Sequence, residues 1–233
     1  MRDALTLLEE HHRDGPQFMQ LMKDTATNRF DGSFWATWET WIIPILSKVP
    51  QIADFGCGPG MLLKSLREHY PEARLIGIEY APWMLEVLEK DLYKVIEHDL
   101  HKPNLPIADN SLDAITNIIC IHEMSQPIRL LQSIYRCLKP KGRCLISDWV
   151  RAPLNDYIAA WGDFTPEANS NNIFDEQIGH DILSDIFTHF MEHNRYTRKD
   201  IVWMLRSVGF SILEDSPLQE GRFRQWILEK KVN

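Results

Sequence analysis

Residues 51–60 read QIADFGCGPG, and MLLKSLREHY follows at 61–70. The opening residues make a short, mostly apolar run suited to a buried strand, and Leu62, Leu63 and Leu66 then recur at helical spacing. Between the two, Gly56, Gly58 and Gly60 let the main chain turn tightly and come close to a ligand. The start of the following helix offers unbonded N–H groups to the same place. Strand, glycine loop and helix in this order predict a parallel sheet joined by crossover helices.

The alternation continues outward. Strands are expected over 74–79, 94–98, 112–119 and 143–148, with a helix over 82–92 and the Pro-rich loop HKPNLPIADNS at 101–111. A second helix is marked by Ser125 as its cap, Pro127 in its first turn, and Ile128, Leu131, Ile134, Tyr135 and Leu138 on one face before the KPKG stop. At the end, GFSILEDSPL and RFRQWILEKK are two strand-like runs with few residues between them, which predicts an antiparallel hairpin instead of another crossover. The expected architecture is α/β, a seven-stranded sheet, mostly parallel with an antiparallel C-terminal hairpin, helices on both faces. One domain is expected over 1–233. Residues 1–48 form a helical N-terminal lid, 49–150 the ligand-binding core, 150–194 an aromatic-rich lid insertion, and 195–233 a helix and the hairpin.

Composition narrows the function. The chain has 233 residues, 44% of them hydrophobic, enough for one sizeable core and short for two enzymatic domains. Lys and Arg number 25 against 33 Asp and Glu, a net charge of -8 that disfavours a nucleic-acid partner. Cys57, Cys120, Cys137 and Cys144 form no CxxC pair and no disulfide framework, which suits a reducing compartment. No apolar run approaches the roughly 20 residues of a membrane span, and MRDALTLLEEHHRDG lacks a signal-peptide core. A cytoplasmic protein with no membrane partner is expected, as a monomer or homodimer.

The glycine loop departs from the dinucleotide fingerprint, because Met61 stands where GxGxxG has its third glycine. Asp54, two residues before Gly56, would sit badly beside a pyrophosphate and well beside an ammonium or sulfonium. Glu79 ends the second strand, where a carboxylate can accept hydrogen bonds from both ribose hydroxyls, and Asp99 follows the third. The carboxyl ends of such strands face one crevice, so the three acids converge on a ligand with a sugar and an amine-bearing ring.

In sequence order IADFGCGPG, GIEYAP, EHDL, NSLDAITNIICIHEM and KPKGRCLISDW resemble the class I S-adenosylmethionine-dependent methyltransferases, over roughly residues 48–150. The resemblance implies the Rossmann-like fold of that family and S-adenosylmethionine as cofactor, with S-adenosylhomocysteine as product. It implies that Asp54, Gly56, Cys57, Gly58 and Gly60 hold the methionine part and Glu79 the ribose. Tyr80 would flank the adenine, Asp99 and Leu100 would read its edge, and Asn117 and Ile118 would pass beneath the cofactor.

Methyl transfer from a sulfonium is an in-line displacement, so the protein must align the nucleophile, exclude water and, where needed, remove a proton. His122 and Glu123, just past the fourth strand, are the candidate catalytic residues. Trp35, Trp38 and Trp41 form a stripe on an N-terminal helix. Core packing is one reading; the other has Trp35 close the crevice over a small substrate together with Tyr157, Trp161 and Phe164 of the insertion. No metal is expected, since His189 and His193 at i, i+4 lack a nearby acid or cysteine. The reading is a methyltransferase acting on a small molecule, at oxygen or nitrogen before carbon or sulfur. Protein or RNA methylation, a related enzyme such as an oxidoreductase or aminopropyltransferase, and a non-catalytic cofactor-binding protein remain open alternatives.

Overall fold

The computed structural model describes residues 3–151, 153, 196–218 and 223–232. Gln51–Phe55 form β1, which is buried from its second residue onward because other strands flank it on both edges. It pairs in parallel with β2 (Arg74–Glu79) and with β4 (Leu112–Ile118), while β3 (Lys94–Glu97) adds to β2. On the other side of β4 lies β5 (Leu138–Trp149), then antiparallel β7 (Phe223–Glu229) and β6 (Ser211–Leu218) at the edge. The order β3-β2-β1-β4-β5-β7-β6 is the mostly parallel seven-stranded sheet with the expected terminal hairpin.

Period-two alternation splits the strands between two cores. Ile52, Ala114, Leu145 and Ile227 face α4 (Gly32–Trp41) and α5 (Met61–His69), whose Trp38, Leu62, Leu63 and Leu66 they bury. Ala53, Ile115, Ile146 and Leu228 point the other way, toward α7 (Pro127–Cys137) and α8 (Arg198–Val208). Helix α8 is held at both ends, by a Thr197–Asp200 capping box and by Gly209 in the left-handed conformation. Ahead of the sheet come α1 (Ala4–His12), α2 (Gly15–Asp24) and α3 (Ala26–Arg29). Asp3, Asp14 and Asp31 cap α1, α2 and α4 with their carboxylates.

Two local expectations need correction. The helix predicted over 82–92 is only the four residues of α6 (Pro82–Leu85). Beyond it the Tyr93 hydroxyl accepts the Glu89 N–H and Arg67 takes the Leu92 carbonyl, so side chains satisfy the backbone that a longer helix would have paired with itself. Ser125 does not cap α7; Gln126 holds the cap position without a side-chain bond, and the Ser125 N–H goes to the His101 ring. Among the described residues, no helix is long and apolar enough to cross a membrane.

Candidate functional site

At the carboxyl end of β1 the backbone must reverse into α5. Gly56, Gly58 and Gly60 all have positive φ, +76°, +52° and +79°, which makes the turn cheap only for glycine. A Cβ at Gly58 would meet nothing within 4 Å, because that side of the loop opens into a cavity. Gly60 has a different reason to be glycine, since a Cβ there would lie 2.1 Å from the Tyr93 hydroxyl.

The three acids gather at this cavity, and Asp54, Glu79 and Asp99 all line it. The β1/β4 register puts Asp54 opposite Thr116, whose hydroxyl donates to the carboxylate at 2.7 Å. Burial, helped by the charge of Glu79 and opposed by that hydroxyl, pushes the Asp54 carboxyl up to about 7. Glu79 ties β2 to the glycine loop. One oxygen accepts the Gly58 N–H at 2.8 Å and the other those of Tyr80 and Ala81 at 2.7 and 2.9 Å. Burial raises its carboxyl, and those backbone donors oppose the rise. Asp99 accepts from the backbone and the ring of His101, both at 2.9 Å.

Of the other candidate cofactor contacts, Gly56, Cys57, Gly58, Tyr80, Leu100 and Ile118 border the cavity. Asn117 is fully buried behind it and binds the Phe55 carbonyl at 2.6 Å, which places it as a brace between β4 and β1. Burial pushes the Cys57 and Cys120 thiols well above their usual range.

Beyond β4 the chain makes a short 3-10 turn, Ile121–Glu123, that turns Glu123 into the cavity and His122 into the protein. The His122 Nδ1 lies 2.7 Å from the fully buried Asp148 carboxylate. That carboxylate also accepts the N–H groups of Cys120, Ile121 and Trp149, so β5 anchors the whole turn. Three imidazoles surround Glu123 Oε1: His11 Nε2 at 3.2 Å, His12 Nε2 at 3.4 Å and His122 Nε2 at 3.8 Å. Burial works to raise the Glu123 carboxyl, but the two histidines of α1 outweigh it and hold it well below the usual carboxylate range.

Helices α1 and α2 form the opposite wall, with Leu7, Leu8, Phe18 and Met22, and Arg29 of α3 lines it as well. Residues of α1, α2 and α3 thus line the crevice, while the tryptophan stripe does not. Trp35 stacks on His69 with ring centroids 4.3 Å apart, and Trp38 is fully buried with its indole donating to the Tyr70 hydroxyl. Helix α4 serves the core, and the structure does not bring Trp35 to the cavity. Tyr157, Trp161, Phe164, His189 and His193 lie outside the described residues. Sequence reasoning missed His11 and His12; their signal was the HH pair near the end of an amphipathic segment, and its partner Glu123 lies more than a hundred residues away.

Comparison with known proteins agrees with this geometry. Residues 53–146 match the family described as methyltransferase domain. A demethylmenaquinone methyltransferase of Thermotoga maritima is 32% identical over 113 residues, 47% of this chain and 48% of that one. A malonyl-[acyl-carrier protein] O-methyltransferase of Hahella chejuensis is 29% identical over 118 residues, 47% of this chain and 40% of that one. The chain therefore spans about half or less of the length of these relatives. The crystal structure of a SAM-dependent methyltransferase from Aquifex aeolicus superimposes with a TM-score of 0.62 over 92% of this chain and 98% of that one, at 16% identity, a likeness of fold. Strand order, glycine loop, converging acids and the matched segment together make residues 53–146 similar to the methyltransferase domain family, on the fold of a SAM-dependent methyltransferase.

Proposed function

We propose that the protein transfers a methyl group from S-adenosylmethionine to a small molecule, at an oxygen or nitrogen that gives up a proton. One observation carries this reading: the glycine loop with its three acids and the histidine-ringed Glu123 border a single cavity roofed by α1 and α2. The donor set fits the cofactor. Asp54 suits the ammonium and sulfonium, Glu79 keeps acceptor capacity on the side of the open Gly58 loop for ribose hydroxyls, and Asp99 suits an exocyclic amine. Arg29 is a cation on the same wall for the cofactor's carboxylate. When bound, S-adenosylmethionine supplies an activated methyl group.

The chain's own residues then have three tasks. The roof of α1 and α2 excludes water. The glycine loop and the acids fix position. The Glu123 cluster orients the acceptor's O–H or N–H and is where its proton leaves. A recessed cavity favours a small acceptor over a protein or RNA, and the demethylmenaquinone methyltransferase among the relatives is named for a small molecule.

Calorimetric titration with S-adenosylmethionine, S-adenosylhomocysteine and NAD tests the first half. Binding of the first two without the third is expected, and binding of NAD alone would overturn it. A screen of small acceptors with methyl-labelled cofactor tests the second half. Glu79→Ala should weaken cofactor binding by about 1–3 kcal/mol, the scale for losing a charged hydrogen-bond partner; an unchanged Kd removes Glu79 from the ribose role.

Asp54 gives the binding a pH signature. A cationic ligand requires its charged form, but burial keeps it protonated below about 7. Affinity for S-adenosylmethionine should therefore rise with pH through about 7 and fall toward tenfold per unit below it. In the ligand-free protein the sign is opposite. A raised carboxyl favours the fold at low pH, and that contribution is lost as pH climbs through about 7. Binding isotherms at pH 5.5, 7 and 8.5 with and without Asp54→Asn check this, since the variant should lose the slope.

A further inference from the structure

We propose that His11, His12 and Glu123 form a binding site for one divalent transition-metal ion, Zn2+ foremost, with an open position toward the cavity. The proposal rests on the methyltransferase reading for its role, and on geometry for its existence. The ligating atoms of the three side chains lie within 4.8 Å of one another. Donors held about 2.0–2.1 Å from a tetrahedral zinc stand about 3.4 Å apart. His11 Nε2 and His12 Nε2 lie 3.2 and 3.4 Å from Glu123 Oε1, where they hydrogen-bond now and where an ion replacing those protons would find its donors at the right spacing. Two histidines and a glutamate are also a ligand set of catalytic zinc sites, which leave the fourth position to water or substrate. All three residues line the cavity, so that position opens onto the acceptor's side.

A second observation concerns the third imidazole near the same oxygen. Asp148 is a carboxylate and can only accept, so His122 Nδ1 must be the donor of their 2.7 Å bond. In the neutral ring this leaves the lone pair on Nε2, aimed at Glu123 Oε1 across 3.8 Å. The buried carboxylate behind an imidazole is moreover the outer-shell arrangement that orients histidines around metals.

Trp83 shows what loading must change. An indole N–H only donates, so its 3.2 Å bond to His12 Nδ1 leaves the proton of a neutral His12 on Nε2, facing Glu123. Coordination through Nε2 displaces that proton, moves the ring proton to Nδ1 and releases Trp83. An acceptor bound at the open position would lose its own proton to water at neutral pH, as metal-bound water does.

The test is calorimetric titration of chelator-stripped protein with Zn2+, alongside tryptophan emission. One ion per chain is expected, with an emission change that Trp83→Phe abolishes. His11→Gln and Glu123→Gln should each bind Zn2+ at least about 100-fold more weakly, since even outer-shell partners are worth 10–100-fold. Both should keep their affinity for S-adenosylmethionine, which certifies the fold; if either fails to fold, His12→Gln replaces it. Absence of stoichiometric Zn2+ binding in the parent protein, or equal binding by the folded variants, overturns the proposal. Cofactor binding and methyl transfer without Zn2+ binding reject the metal site alone, whereas Zn2+ binding without cofactor binding rejects the methyltransferase reading and leaves the site standing.

Discussion

Asp148→Ala should lower the unfolding free energy by about 3–5 kcal/mol, the scale for stripping one partner from a buried charged pair. At this chain length that is a fall in Tm of roughly 6–20 °C. The reason is the number of donors that depend on one side chain. Asp148 is fully buried and takes the N–H groups of Cys120 at 2.9 Å, Ile121 at 2.5 Å and Trp149 at 2.7 Å, besides His122. Alanine removes that acceptor from all four groups at once, at a position closed to water. Asp148→Asn separates the contributions. An amide oxygen in place of Oδ2 can still accept the Cys120 and Ile121 N–H groups, while the NH2 displaces the acceptor of Trp149, so a loss of about 1–3 kcal/mol is expected. An equal loss for the two variants, measured by urea denaturation, would show that the charge and not the bond count matters.

Gly60→Ala should cost about 2–6 kcal/mol. Left-handed backbone in a non-glycine residue contributes about 1–3 of this and overpacking another 1–3. Its φ is +79°, and the added Cβ would sit 2.1 Å from the Tyr93 hydroxyl and 2.9 Å from a Leu88 methyl. Tyr93 cannot swing aside freely, because its hydroxyl is engaged by the Glu89 N–H at 3.1 Å. Gly58→Ala is the contrasting control. Its φ is also positive, but a Cβ there meets open space, so the variant should fold with a loss near 1 kcal/mol and bind cofactor poorly. Comparable destabilisation of the two would contradict the packing role given to Gly60.

The parts of this protein legible from its sequence are those where neighbours in the chain are also neighbours in space. The strand, glycine loop and helix over 51–69 could be read because a short apolar run, glycines that tolerate positive φ and a period of 3.6 succeed one another without interruption. The terminal hairpin was legible for the same reason, and the strand-end acids because parallel topology sends all such ends to one side. What could not be read depends on distant partners. The helix after Pro82 was cut short by Tyr93 and Arg67, which no helical periodicity reveals. The tryptophan stripe offered two faces to choose between, and His69 and Tyr70 decided for the core. His11 and His12 acquire meaning only when α1 is laid against the turn after β4.

Helix α1 supplies both a wall of the cavity and two of the three imidazoles around Glu123. Any displacement of α1 wide enough to admit a ligand must therefore part the cluster, and only its return can rebuild it. Under the proposed reaction, a cavity that filled by such a movement would keep its activated methyl donor away from the reactive arrangement until α1 was back in place.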